Sequence, residues 1–156
     1  SMPLLRAALS WNFVLATAIC ASLLAQLIKV LLNLFIFHRF IAERMWGAGG
    51  MPSSHSATVC AMVVATGRYC GVNSPIFAIA AVLSIIVMYD AMGVRYETGE
   101  QAKVLNRMFT EWMDQGFEQF QLPHGKKLKE MVGHTPIEVV TGAALGIVLG
   151  FAMPMV

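Results

Sequence analysis

From residue 11 to residue 37 the chain is nearly all apolar, broken by Gln26, Lys29 and Asn33. At about 1.5 Å per residue, a helix of this length crosses a bilayer with tilt. The run is too long, and carries a lysine too late, to be read as a cleavable signal peptide. Ala18, Ser22, Gln26, Lys29 and Asn33 recur every three or four residues. They form one polar stripe on a helix otherwise covered in Leu, Ile and Phe. A lysine in such a helix either faces a protein interior or snorkels to the interface, and its place eight residues before Phe37 leaves both readings open.

Composition fits a membrane chain. Of the 156 residues, 57% are hydrophobic and 13% charged, about half the charge of a soluble domain. The net charge of +2 is too small to point to nucleic acid. Cys20, Cys60 and Cys70 lie in or beside apolar runs and read as small thiols, with no disulfide framework or metal-ligand spacing. Three further apolar runs follow at about 54–70, 76–89 and 137–156, with a turn at Gly71-Val-Asn-Ser-Pro75. Ala57, Ala61 and Ala65 form one small-residue seam, and Gly142, Gly146 and Gly150 another. The expected fold is a single all-α domain over 1–156, an integral membrane bundle of about four transmembrane helices. The two middle helices are short enough for a tilted or partly immersed hairpin. A dimer through the small-residue seams is a further expectation.

The polar stretch 91–135 holds one more element. Val104, Leu105, Met108, Phe109, Trp112, Met113, Phe117 and Phe120 recur at helical spacing, with Lys103, Glu111, Asp114 and Glu118 on other faces. This predicts an amphipathic helix lying in the membrane interface or roofing the bundle. With four spans, Arg39, Arg44, Arg95, Lys103, Arg107, Lys126, Lys127 and Lys129 share one side, against Arg6 and Arg68 on the other. The positive-inside rule then turns the charged loops to the cytoplasm and both termini outward.

The candidate chemistry gathers on that same side. Gly49-Gly-Met-Pro-Ser-Ser-His-Ser56 reads as a flexible loop entering a helix, with Pro52 in its first turn. Its free amides, the hydroxyls of Ser53 and Ser54 and the helix dipole favour an anion, and His55 adds a group that carries a proton near neutral pH. The plainer reading makes the serines a helix cap. Helix three ends at Asp90 and Arg95, which could simply pair with each other. Glu97 and Glu100 read as solvated loop charges. Thr135-Pro-Ile-Glu138 has the form of a capping box, a structural role for Glu138 that leaves His134 unexplained. No histidine pair has the close spacing of a metal site, so no metal and no cofactor are expected.

These motifs carry a resemblance. Pro52-Ser-Ser-His55 with Gly133-His-Thr-Pro-Ile-Glu138 resembles the type 2 phosphatidic acid phosphatase and vanadium haloperoxidase superfamily. More closely, the chain resembles its short divergent branch, the acid phosphatase/vanadium-dependent haloperoxidase-related membrane proteins. The likeness runs through Gly49–His55, Met88–Arg95, Gln101–Asn106 and Gly133–Gly142, most of the chain. It implies a phosphatase in which His134 attacks phosphorus, Glu138 orients it and His55 protonates the leaving oxygen. Lys29, Arg39, Ser53, Ser54 and Arg95 would hold the phosphate, with Asp90 supporting. The implied substrate is a phosphomonoester, perhaps a lipid phosphate. A protein that binds phosphate or phospholipid headgroups without turnover is the alternative. The sequence departs from the superfamily pattern at Ser54, usually glycine, and at Glu138, usually aspartate. Lys29 and Arg39 are widely spaced for its first motif, and the arginine that normally precedes the nucleophile is absent.

Overall fold

The computed structural model describes residues 2–36, 50–117, 125–130 and 132–155. Every regular element in them is a helix: α1 (Met2–Trp11), α2 (Phe13–Ile36), α3 (Ser54–Cys70), α4 (Pro75–Met92), α5 (Val94–Asp114) and α6 (Pro136–Ala152). The sequence reading missed α1. It is separated from α2 by Asn12, whose side-chain oxygen accepts from the Leu15 N–H at 3.0 Å and restarts the helix.

Two stretches have the length and apolarity to cross a bilayer: α2, and the run Pro75–Asp114 that opens with α4. Only 22% and 17% of their apolar windows are buried in the protein, so their large side chains face outward, as lipid-facing helices require. The expected four spans are therefore not all met. α3 and α6 have 17 residues each, about 26 Å of helix against a hydrocarbon core of about 30 Å. Their ends are fixed chemically. Ser53 caps the start of α3, and Gly71 leaves the helix at φ +86°. Pro136 opens α6, and Met153 ends it in extended backbone. Pro52, expected inside the first turn of α3, stands before the cap.

The interior is built from small residues. Ala21 and Ala25 of α2 and Ala57, Ala61 and Ala65 of α3 are fully buried. The two predicted seams meet each other. A Cβ on Gly142 would strike the Ser53 carbonyl and the Ser56 hydroxyl; on Gly146, the Ala57 carbonyl; on Gly150, the Val64 side chain. α3 and α6 thus run parallel at backbone contact, and the seams offered to a second copy are used within the chain. α2 and α4 run antiparallel to them, as Gln26 meeting Ser54 and Ser84 meeting Cys60 fix. The far end is closed by Leu9, Phe13, Ala65 and Met153. There Arg68 Nη1 donates to the carbonyls of Gly150 (2.7 Å) and Met153 (2.6 Å), capping α6. This topology gathers the C-termini of α2 and α4 and the N-termini of α3 and α6 at one face, as the sequence predicts.

The seam gives the first prediction. Gly146→Leu overpacks the α3–α6 contact and destabilises the protein by about 1–3 kcal/mol or more, whereas Ala144→Leu on the exposed side of α6 is tolerated. Thermal unfolding of the detergent-purified variants reads the difference. Equal melting temperatures would contradict the packing described.

Candidate active site

The site is assembled where α3 and α6 begin. Ser53 Oγ accepts from Ser56 N–H at 3.3 Å, and Ser53 N–H donates to the Glu138 carbonyl at 3.0 Å. Ser56 Oγ donates to the Val139 carbonyl at 3.0 Å. These bonds lock the first turn of one helix to that of the other. Ser53 is fully buried, so its hydroxyl and amide belong to this stitch. The Ser54 hydroxyl accepts from Gln26 Nε2 at 3.3 Å.

The stitch brings two histidines together. The rings of His55, in the first turn of α3, and His134, just before α6, lie with centroids 5.7 Å apart and planes at 60°. His134 is only 2% exposed. Its backbone N–H donates to the Ala91 carbonyl at 2.9 Å, and its Nδ1 lies 2.9 Å from Glu138 Oε2. Burial works to raise the Glu138 carboxyl, but the bond to His134 and the Thr135 backbone N–H outweigh it, and the net shift is downward. An ionised Glu138 makes His134 Nδ1 the donor, so that in the neutral ring the lone pair sits on Nε2. Among the described residues, His134 Nε2 and His55 Nδ1 are buried with no hydrogen-bond partner. The expected capping box is half present: Thr135 is the N-cap and Pro136 follows, but the Thr135 side chain makes no cap bond and the Glu138 carboxylate serves His134.

His134 arrives on a strap laid along α5. Asn106 Nδ2 donates to the Leu128 carbonyl (2.9 Å) and Glu130 Oε1 (2.8 Å), and Asn106 Oδ1 accepts from Leu128 N–H (2.8 Å). Gly99 and Gly133 allow the backbones to touch. A Cβ on Gly99 would strike the Glu130 carbonyl, and one on Gly133, at φ +80°, would strike the backbone of Arg95 and Tyr96. The sequence reading gave these residues no role. The signal available was that Asn106 and Gly133 lie in segments that carry the family likeness. Glu97 and Glu100, expected in a loop, lie on α5, where Glu100 pairs with Lys103 at 2.6 Å.

Cationic groups complete the face. Lys29 is 1% exposed, which resolves its two readings in favour of the interior. Its stem fills the space beside Gly50, where a Cβ would lie 3.4 Å from Lys29 Cδ. Arg95 Nε and Asp90 Oδ2 pair at 2.8 Å, both side chains being partly exposed. His55 lies outside the two membrane-length stretches. Burial first, then the charges of His134, Arg95 and Lys29, push its imidazole below the ordinary value, against an upward pull from Asp90. Arg39, also expected here, lies outside the described residues. Among the described residues no group of three His, Cys, Asp or Glu is placed to hold a metal ion.

Comparison with known proteins gives a family and a relative. A family model described as "Divergent PAP2 family" matches residues 10–149. The "Uncharacterized membrane protein YuiD" of Bacillus subtilis (strain 168) is 38% identical over 144 residues, which cover 88% of this chain and 91% of the relative. No solved structure matches the chain.

The electrostatics predict the titration of His55. In an NMR pH titration its ring loses its proton below about pH 6.5. Asp90→Asn removes the one neighbouring charge that favours the cation and lowers the midpoint further, whereas Lys29→Met raises it. A midpoint at or above the ordinary value, indifferent to both substitutions, would remove these charges from the site.

Proposed function

The chain belongs to the divergent PAP2 family, and we propose that it is a membrane phosphatase hydrolysing a phosphomonoester, a lipid phosphate, at a cytoplasm-facing site. The observation that carries this reading is the setting of His134, whose Nδ1 is held by Glu138, whose buried Nε2 has no hydrogen-bond partner among the described residues, and whose ring centroid lies 5.7 Å from that of His55. His134 Nε2 attacks phosphorus, and a P–N bond forms as the P–O bond to the leaving group breaks. Protonated His55 gives its proton to the leaving oxygen. Water then attacks the phosphohistidine, His55 takes its proton, and inorganic phosphate departs. Glu138 orients the ring and stabilises the cation that forms on it. Lys29, Arg39, Arg95 and the start of α3 near Ser54 supply positive charge around the equatorial oxygens, and Asp90 supports the site by holding Arg95. A bound phosphate dianion would raise the His55 proton affinity that burial and the neighbouring cations depress, so that the substrate helps to charge the acid.

One feature favours a second reading. With ring centroids 5.7 Å apart, no phosphoryl group fits between the two histidines until His55 swings aside. A chain in which it never did so would bind phosphate or phospholipid headgroups without turnover.

Phosphate release from a panel of lipid phosphates, with chelator present, distinguishes the two. The phosphatase reading expects release that His134→Asn and His55→Ala abolish and Glu138→Gln lowers roughly 10- to 1,000-fold. Binding of phosphate to folded protein with no release, unaffected by His134→Asn, would establish the binding protein instead.

A further inference from the structure

α5 has three faces, and one lacks a protein partner among the described residues. Gly99, Ala102 and Asn106 are buried against the strap that leads to His134. Lys103, Arg107, Glu111 and Asp114 form a charged, exposed face. Val94, Val104, Leu105 and Met108 line the third, between 37% and 67% exposed. Among the described helices α5 touches only α4, so it does not roof the bundle.

Its position limits what can cover that stripe. α5 follows α4 after a single residue, Gly93, whose backbone (φ −98°, ψ −95°) interrupts the helix. It therefore starts at the membrane face where the histidines lie. Phe109 and Trp112 form an edge-to-face pair on the same helix, centroids 5.8 Å apart, and aromatic rings are enriched at headgroup depth. The strap clamped to α5 carries Lys126, Lys127 and Lys129, all exposed, which suit anionic headgroups.

We infer that α5 is an interfacial helix seated on the anionic surface of the bilayer that α2 crosses, with Val104, Leu105 and Met108 turned to the acyl chains, and that this seat supports the His134 strap through Asn106. The inference is independent of the phosphatase reading, since it concerns where a helix lies and not what the site does.

The experiment measures depth. The protein is placed in vesicles of mixed zwitterionic and anionic phospholipid. Single cysteines replace Leu105, Met108, Arg107 or Glu111 in a background lacking Cys20, Cys60 and Cys70, and each carries a small fluorophore. Labels at Leu105→Cys and Met108→Cys are expected to be quenched several-fold more by brominated lipid than those at Arg107→Cys and Glu111→Cys, with the reverse order for an aqueous quencher. Equal aqueous access on both faces overturns the inference. So does protection of Leu105→Cys and Met108→Cys without lipid quenching, which would mean a protein covers the stripe. Should the cysteine-free background misfold, carbene footprinting of the unaltered chain asks the same question. A lipid-phase reagent is expected to mark Val104, Leu105 and Met108, and marking by a water-phase reagent alone overturns the inference.

Discussion

The contact on which the site depends is the backbone approach of α3 to α6. It exists because Gly142, Gly146 and Gly150 present no side chain to Ser53, Ala57 and Val64. In lipid there is little hydrophobic gain from joining two apolar helices, so association rests on close packing and on polar groups that meet across the gap. Here both act at once. The glycines let the helices touch, and the touching places Ser53 N–H on the Glu138 carbonyl and Ser56 Oγ on that of Val139. Because the helices are parallel, their N-termini lie level. Two loops far apart in sequence then deliver His55 and His134 at the same height.

A second constraint is charge. Lys29 is buried in a helix whose outer surface faces hydrocarbon, a costly position for an ammonium group that marks a functional interior. Arg95 and the positive ends of α3 and α6 add to it, and two histidines stand among them. Glu138 and Asp90 offset part of this charge, each engaged with one group, His134 and Arg95 respectively. Burial first, and then the charges of His134, Arg95 and Lys29, account for the downward shift of His55. The same charges that, with burial, lower the proton affinity of His55 would attract an anion to this face.

Much of this was legible in the chain. The four-residue repeats of alanine and glycine named both seams, and the alternation of runs and turns put four helix ends on one face. Periodicity could not say that the two seams face each other, because it fixes a face and not its partner. Nor could it decide between an inward Lys29 and a snorkelling one. That choice is made by tertiary packing, which buries Lys29 with its stem against Gly50. Ser53 looked like a phosphate ligand because its role as a bridge to α6 depends on a carbonyl 85 residues away, which carries no sequence signal. α1 was hidden because Asn12 interrupts the helix without interrupting the apolar pattern. Two of the four expected spans pass the length test, and the other two fall short of it because their caps hold α3 and α6 to 17 residues each.

The position of His134 follows from the shape of its strap. It is held at four points on three helices: Asn106 and the Arg95–Tyr96 backbone on α5, the Ala91 carbonyl on α4, and Glu138 on α6. Only the last is local in sequence. Holding a loop residue rigid requires that its backbone polar groups be satisfied and that its neighbours leave no slack. Asn106 satisfies both the N–H and the carbonyl of Leu128, and Gly99 and Gly133 remove the slack by admitting backbone against backbone. The ring therefore cannot move without moving α5 or breaking the strap. His55, in the first turn of α3 and only partly buried, has no such clamp. Of the two rings it is, among the described residues, the one less tightly held.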